Sequence, residues 1–170
     1  MLLIANENPF VSKVFALFDA VVGAGEEAAH ITLPVSLRVF LTDCLIEHLR
    51  DHDILGRTLA LDFLEAGFQA GSVRRIVLKR TGDASLILAW FFPEMAKQRN
   101  VKPSYFRAMG QASYSSLAAH LCSGPMYERG KLYNQVAHGF VPLERVLDKA
   151  RVRADTWSAF QRFRAHLDDL

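Results

Sequence analysis

The chain has 170 residues, 51% of them hydrophobic and 22% charged. That apolar content excludes a disordered chain, and ten glycines and six prolines without a fixed period exclude collagen and low-complexity linkers. Twenty Lys and Arg against eighteen Asp and Glu leave a formal charge of +2, too balanced for the basic face that nucleic-acid binding requires.

The first helix is well punctuated. Asn8 can cap it, Pro9 suits its first position, and Phe10, Val14, Phe15, Leu17, Phe18 and Val21 follow at helical spacing. Gly23 and Gly25 predict its end. Thr32 to Pro34 opens a second helix carrying Leu37, Phe40, Leu41, Cys44, Leu45 and Leu49, with Asp51-His52-Asp53 as a polar exit. A third fits Leu55 to Phe68, closed by Gly67 or Gly71. Ser72 starts a stretch in which Val73, Ile76 and Val77 alternate with Arg74, Arg75, Lys79 and Arg80, a basic end that suits a helix C-terminus.

Thr81-Gly82-Asp83 has two readings. Either Gly82 ends that helix and Asp83 caps the next, or one helix runs through a tolerated glycine. As an exposed cap, Asp83 would contribute about 1 kcal/mol. Ala84 to Phe92 carries no charge on any face and predicts a helix buried all round, bent or ended by Pro93. Further helices are expected from Pro103 to about Leu121, from Met126 to His138, from Pro142 to about Arg151, and from Thr156 to Asp168. No segment alternates as a strand would, and no repeat or long linker divides the chain. The expected fold is all-α: residues 1–170 as one compact domain of about seven to nine helices.

The longest uncharged apolar run, Ala84 to Pro93, is half of what a membrane span needs, roughly 20 residues. Met1 to Ile4 is apolar but lacks the charged flank and the length of a secretory signal. Cys44 and Cys122 read as small buried hydrophobes and not as a disulfide framework. These features predict a soluble, cytoplasmic protein.

Reaction motifs do not emerge. His48 and His52 are four apart, but two imidazoles do not complete a metal site, and a solvated helix end explains them. Glu27 and His30 have the Glu-x-x-His spacing of di-iron bundles without the second copy such bundles use. There is no nucleophile elbow, Walker loop or dinucleotide fingerprint. Gly71-Ser72 before Arg74-Arg75 can present free N–H groups to an anion, though an ordinary capped helix with a wet basic face is the better reading. No cofactor and no metal are expected.

Trp90-Phe91-Phe92 must touch three different neighbours and predicts a packing hub, with Glu94 just beyond it. Tyr105, Ala108, Met109, Ala112, Ser116 and Ala119 share one stripe of a helix, most of them small. A small stripe either admits another helix closely or leaves a pocket. The candidate pocket between residues 84–92 and 103–121 would use Asp83, Trp90, Glu94, Tyr105, Met109, Ser113, Tyr114 and Ser116. Trp157, Phe160, Phe163 and Leu167 on the terminal helix are the candidate partner-binding residues.

Gly82-Asp83, Phe91-Phe92-Pro93-Glu94, Tyr105, Met109-Gly110 and Tyr114 together resemble a signature of uncharacterised bacterial helical proteins, G-D … F-F-P-E … Y-x-x-x-M-G-x-x-x-Y. The pattern covers about a fifth of the chain. Ser113 stands where the pattern suggests Ala. The resemblance implies a bacterial source and a helical fold, and carries no activity. The leading functional expectation is a non-enzymatic interaction or regulatory module that associates with a protein partner or with itself. The alternative is a small-molecule-binding protein or enzyme using the candidate pocket.

Overall fold

A computed structural model describes residues 9–48, 58–91 and 102–152, with side chains described over 12–48, 58–88 and 102–152. Among these residues there are seven helices and no strand, the all-α architecture that the periodicity predicts. They are α1 (Pro9–Ala29), α2 (Val35–Glu47), α3 (Leu59–Phe68), α4 (Gly71–Phe91), α5 (Pro103–Cys122), α6 (Tyr127–His138) and α7 (Phe140–Val152). None of the described helices is long and apolar enough to cross a membrane.

Three local expectations are corrected. Gly23 and Gly25 do not end α1, which continues to Ala29. A Cβ at Gly25 would overlap the Val146 carbonyl of α7, and one at Gly23 would lie 3.1 Å from the Arg38 guanidinium. Both glycines serve close approach instead of termination. The chain turns at His30, which takes a left-handed conformation at φ 54°. Glu27 and His30 are exposed there, so the Glu-x-x-His pair does not face the core.

Second, the Arg74 to Arg80 run occupies the first half of α4 and does not mark a helix end. Third, of the two readings of Thr81-Gly82-Asp83 the continuous helix holds and the cap does not: the triplet lies inside α4, and Asp83 caps nothing. Its carboxylate turns sideways into the core, because backbone N–H groups in a helix interior are already engaged with carbonyls one turn back. The hydroxyls nearby do the same locally: Thr81 donates to the Val77 carbonyl at 2.8 Å and Ser85 to the Thr81 carbonyl at 2.7 Å. The expected start of α3 at Leu55, the bend at Pro93 and the helix from Thr156 to Asp168 lie outside the described residues.

α4 and α5 form the antiparallel centre. Gly82 faces Tyr114, and Ser85 faces Gly110. A Cβ at Gly110 would overlap the Phe140 ring of α7 and lie 3.1 Å from the Ser85 Cβ, so neighbouring side chains fill the space beside this small residue. Around that pair, α3 packs on α4, α6 on α5, and α7 on both α1 and α4. Phe18, Phe106, Tyr114 and Phe140 are the largest fully buried side chains.

The α1–α2 hairpin is clamped by Arg38. Its guanidinium donates to both carboxylate oxygens of Asp19 at 2.8 Å and to Glu26 at 2.7 Å. The other Glu26 oxygen accepts the Leu33 N–H at 2.7 Å.

Candidate functional site

Asp83 is completely buried in the middle of α4. Aspartate is a poor residue for a helix interior, and a buried carboxylate is tolerated only when paired and hydrogen-bonded. Three helices supply the partners. Tyr114 of α5 donates its hydroxyl to Oδ1 at 2.7 Å. Lys79, one turn earlier on α4, donates to Oδ2 at 2.7 Å. His48, at the end of α2, places Nε2 2.9 Å from the same oxygen. Lys79 also donates to Glu47 at 2.6 Å, which carries the network out to solvent.

Helical spacing explains the convergence. Lys79 and Asp83 are four apart on α4, and Cys44 and His48 are four apart on α2, so each pair shares a face. Gly82 lets the Tyr114 ring lie flat against α4 and reach the neighbouring carboxylate; a Cβ there would stand 2.6 Å from the ring. Tyr114 in turn stacks on Tyr133 of α6 at 6.0 Å between centroids, and Phe40 of α2 meets both rings edge-on at 5.7 and 6.2 Å.

The protonation states follow from burial and charge. Burial pushes Asp83 upward, but the His48 hydrogen bond and the charge and hydrogen bond of Lys79 outweigh it, and the group is held below its ordinary 3.8. Burial pushes Lys79 downward, and Asp83 and Glu47 outweigh it, so the ammonium is held above its ordinary 10.5. Burial, with the Asp83 charge beside it, raises both the Tyr114 phenol and the Cys44 thiol well above their usual ranges. Near neutrality the cluster therefore contains a carboxylate, an ammonium, a protonated phenol and a protonated thiol. It holds neither a thiolate nucleophile nor a free base on these groups.

Cys44, His48 and Asp83 offer donor atoms within 4.8 Å of one another, close enough for one metal ion to touch all three. The set does not fit that role as it stands. The Lys79 ammonium already neutralises the carboxylate, so an ion would have to displace that ammonium as well as the proton of the buried thiol.

Two cavities open beside the network. One, about 450 Å³, lies between α2 and α6 and reaches Cys44, Glu47 and Lys79. The other, about 280 Å³, lies between the first half of α4, the end of α5 and the start of α6. Lys79, Arg129 and Tyr133 line both.

Of the residues singled out from the sequence, Asp83 and Tyr114 meet directly. Ser113 is fully buried, and its Oγ has no hydrogen-bond partner among the described residues. Tyr105 accepts the Ala60 N–H at 3.1 Å and so ties α5 to α3. Met109 packs against the core from a half-buried position, and Ser116 is half-buried. None of these six lines either cavity. Trp90 lies on α4 with its side chain outside the description, and Glu94, His52, Trp157, Phe160, Phe163 and Leu167 lie outside the described residues. His48, Lys79, Cys44 and Tyr133 were not among the candidate site residues. The two i, i+4 pairs were visible in the sequence, but which pairs meet is decided by how the end of α2 is brought to α4 in the tertiary fold.

The shifts set a pH window. A depressed carboxylate stabilises the fold fully above its unfolded value, near 3.8, and the contribution disappears as pH falls through the lower folded value. A raised ammonium stabilises fully below 10.5, and the contribution disappears as pH rises through the higher folded value. The part of the stability difference between the protein and Asp83→Asn that comes from the Lys79–Asp83 pair should therefore persist between about pH 4 and pH 10 and shrink outside that range. Urea melts of both proteins across pH check this; a difference that vanishes near neutrality would contradict the assignment of the ion pair.

No protein-family model, no curated protein and no solved structure matches the chain.

Proposed function

We propose that this chain is a non-enzymatic helical interaction module that self-associates through the α3–α4 hairpin. The observation that carries the reading is an exposed apolar face. α3 buries Leu59 and Ala66 against its neighbours but turns Leu61, Leu64 and Phe68 outward, with Phe68 90% exposed. Val73 and Ile76, on the other side of the Gln69-Ala70 turn, are about half exposed on α4. Large exposed apolar side chains on one helix face mark association surfaces, whereas singly scattered ones need no such explanation. A symmetric pair of hairpins would cover the face with a copy of itself, the commonest closed arrangement of identical chains.

Two further features support the reading. The chemistry-bearing cluster around Asp83 is buried and holds its phenol and thiol protonated, which suits a structural core. Cys44 and Cys122 are both free thiols, consistent with the cytoplasmic setting proposed for the module.

Sedimentation velocity at micromolar concentrations tests the proposal. The expected result is a concentration-dependent dimer. Phe68→Glu and Leu64→Glu should yield a monomer of unchanged helicity, because neither side chain supports the core. A clean monomer of the unaltered protein throughout would overturn self-association.

A further inference from the structure

We infer that the cavity between α4, α5 and α6 is a binding site for a small amphipathic anion, a carboxylate or phosphate carried on an apolar body. The inference goes beyond self-association, and its cavity adjoins the association face, with Ile76 belonging to both.

The cavity has an unbalanced wall. Arg75 and Lys79 come from one face of α4, four residues apart, and Arg129 and Tyr133 from one face of α6, also four apart. No acidic residue lines it among the described residues. Lys79 is already committed to Asp83 and Glu47, which lie on its other side. The Arg75 and Arg129 guanidinium groups make no ion pair or hydrogen bond with any described residue, so two cations face one small space without a counter-charge. The floor is apolar, built by Leu117 and Leu121 at the end of α5, both almost fully buried.

This combination selects its occupant by chemistry. Guanidinium groups recognise carboxylate and phosphate through charge-assisted hydrogen bonds, which strengthen beside a low-dielectric surface. A bare inorganic anion would leave the leucine floor wet, and a neutral apolar molecule would leave both arginines unpaired. An anion with a short apolar tail satisfies both halves. The volume of about 280 Å³ is at the small end of ligand pockets, which limits the tail to a short chain or a single ring.

The test is isothermal titration of the full chain with sodium octanoate and with octyl phosphate, using 1-octanol and inorganic phosphate as the tail-only and charge-only controls. At least one of the two amphipathic anions should bind saturably at one site per chain, and whichever binds tighter identifies the headgroup. Both controls should bind at least about tenfold more weakly. Arg75→Ala and Arg129→Ala should each weaken binding about tenfold, and the double variant should lose it, with far-UV circular dichroism unchanged. Arg145→Ala, on exposed α7 surface, should bind normally. Phe68→Glu should also bind normally, which separates this site from the association face. Equal binding of octanol, undiminished binding by the double arginine variant, loss of binding in Phe68→Glu, or no binding of either anion would each overturn the inference.

Discussion

Asp83→Ala should lower the free energy of unfolding by about 3–5 kcal/mol, the range for breaking a buried charged network by removing one member. The side chain is fully buried and accepts from Tyr114, Lys79 and His48. Its removal leaves the Tyr114 hydroxyl and the His48 ring, both shielded from water, without their common acceptor. Lys79 suffers less, since it is partly exposed and retains Glu47. Asp83→Asn keeps an acceptor for Tyr114 but not the charge, and should lose less. Denaturant melts of the three proteins measure the order. A loss near 1 kcal/mol for Asp83→Ala, the value of an exposed helix cap, would mean that the network contributes little beyond local helix structure.

Gly82→Ala should destabilise the protein by about 1–3 kcal/mol, although the same change in an ordinary helix interior stabilises by about 1 kcal/mol. The two effects oppose one another, and geometry decides between them. The new methyl would stand 2.6 to 2.9 Å from three atoms of the Tyr114 ring. That ring cannot withdraw easily. Its hydroxyl is bonded to Asp83, one face stacks on Tyr133, and Phe140 lies 6.1 Å away on another side. Combining Gly82→Ala with Tyr114→Leu should recover part of the clash and leave the Asp83 oxygen short of a donor. The check is a double-mutant cycle in urea, in which coupling of at least about 1 kcal/mol is expected between positions 82 and 114. Independent, additive effects would show that the close approach is not what holds glycine at this position.

The helices themselves were legible because their signals are local. Pro103 at a first helical turn and the 3.6-residue periodicity each act within a few neighbours along the chain, and α5, α6 and α7 begin and end within two residues of the expected places. Apart from the basic run at 74–80, the corrected or open readings centre on glycine. Gly23, Gly25 and Gly82 look identical in sequence to helix-ending glycines, yet each sits where another element comes within van der Waals contact. Glycine ends a helix for its backbone freedom and permits contact for its missing Cβ, and only the neighbour across the gap distinguishes the two uses.

The candidate site divides in the same way. Asp83 and Tyr114 were singled out from the sequence, and they do meet, but as part of a network whose other members come from α2 and from the preceding turn of α4. Composition and periodicity determined an all-α chain, the absence of a recognisable reaction motif and the identity of its most heavily apolar helices. Tertiary packing alone decided that Asp83 is a buried acceptor and not a cap, that Phe68 is left in water, and that Arg75 and Arg129 line one cavity with no acidic residue among the described residues around it. The physical reason is range. Helix formation and capping are set by hydrogen bonds over four residues, whereas the partner of a buried charge is set by which faces of distant helices meet.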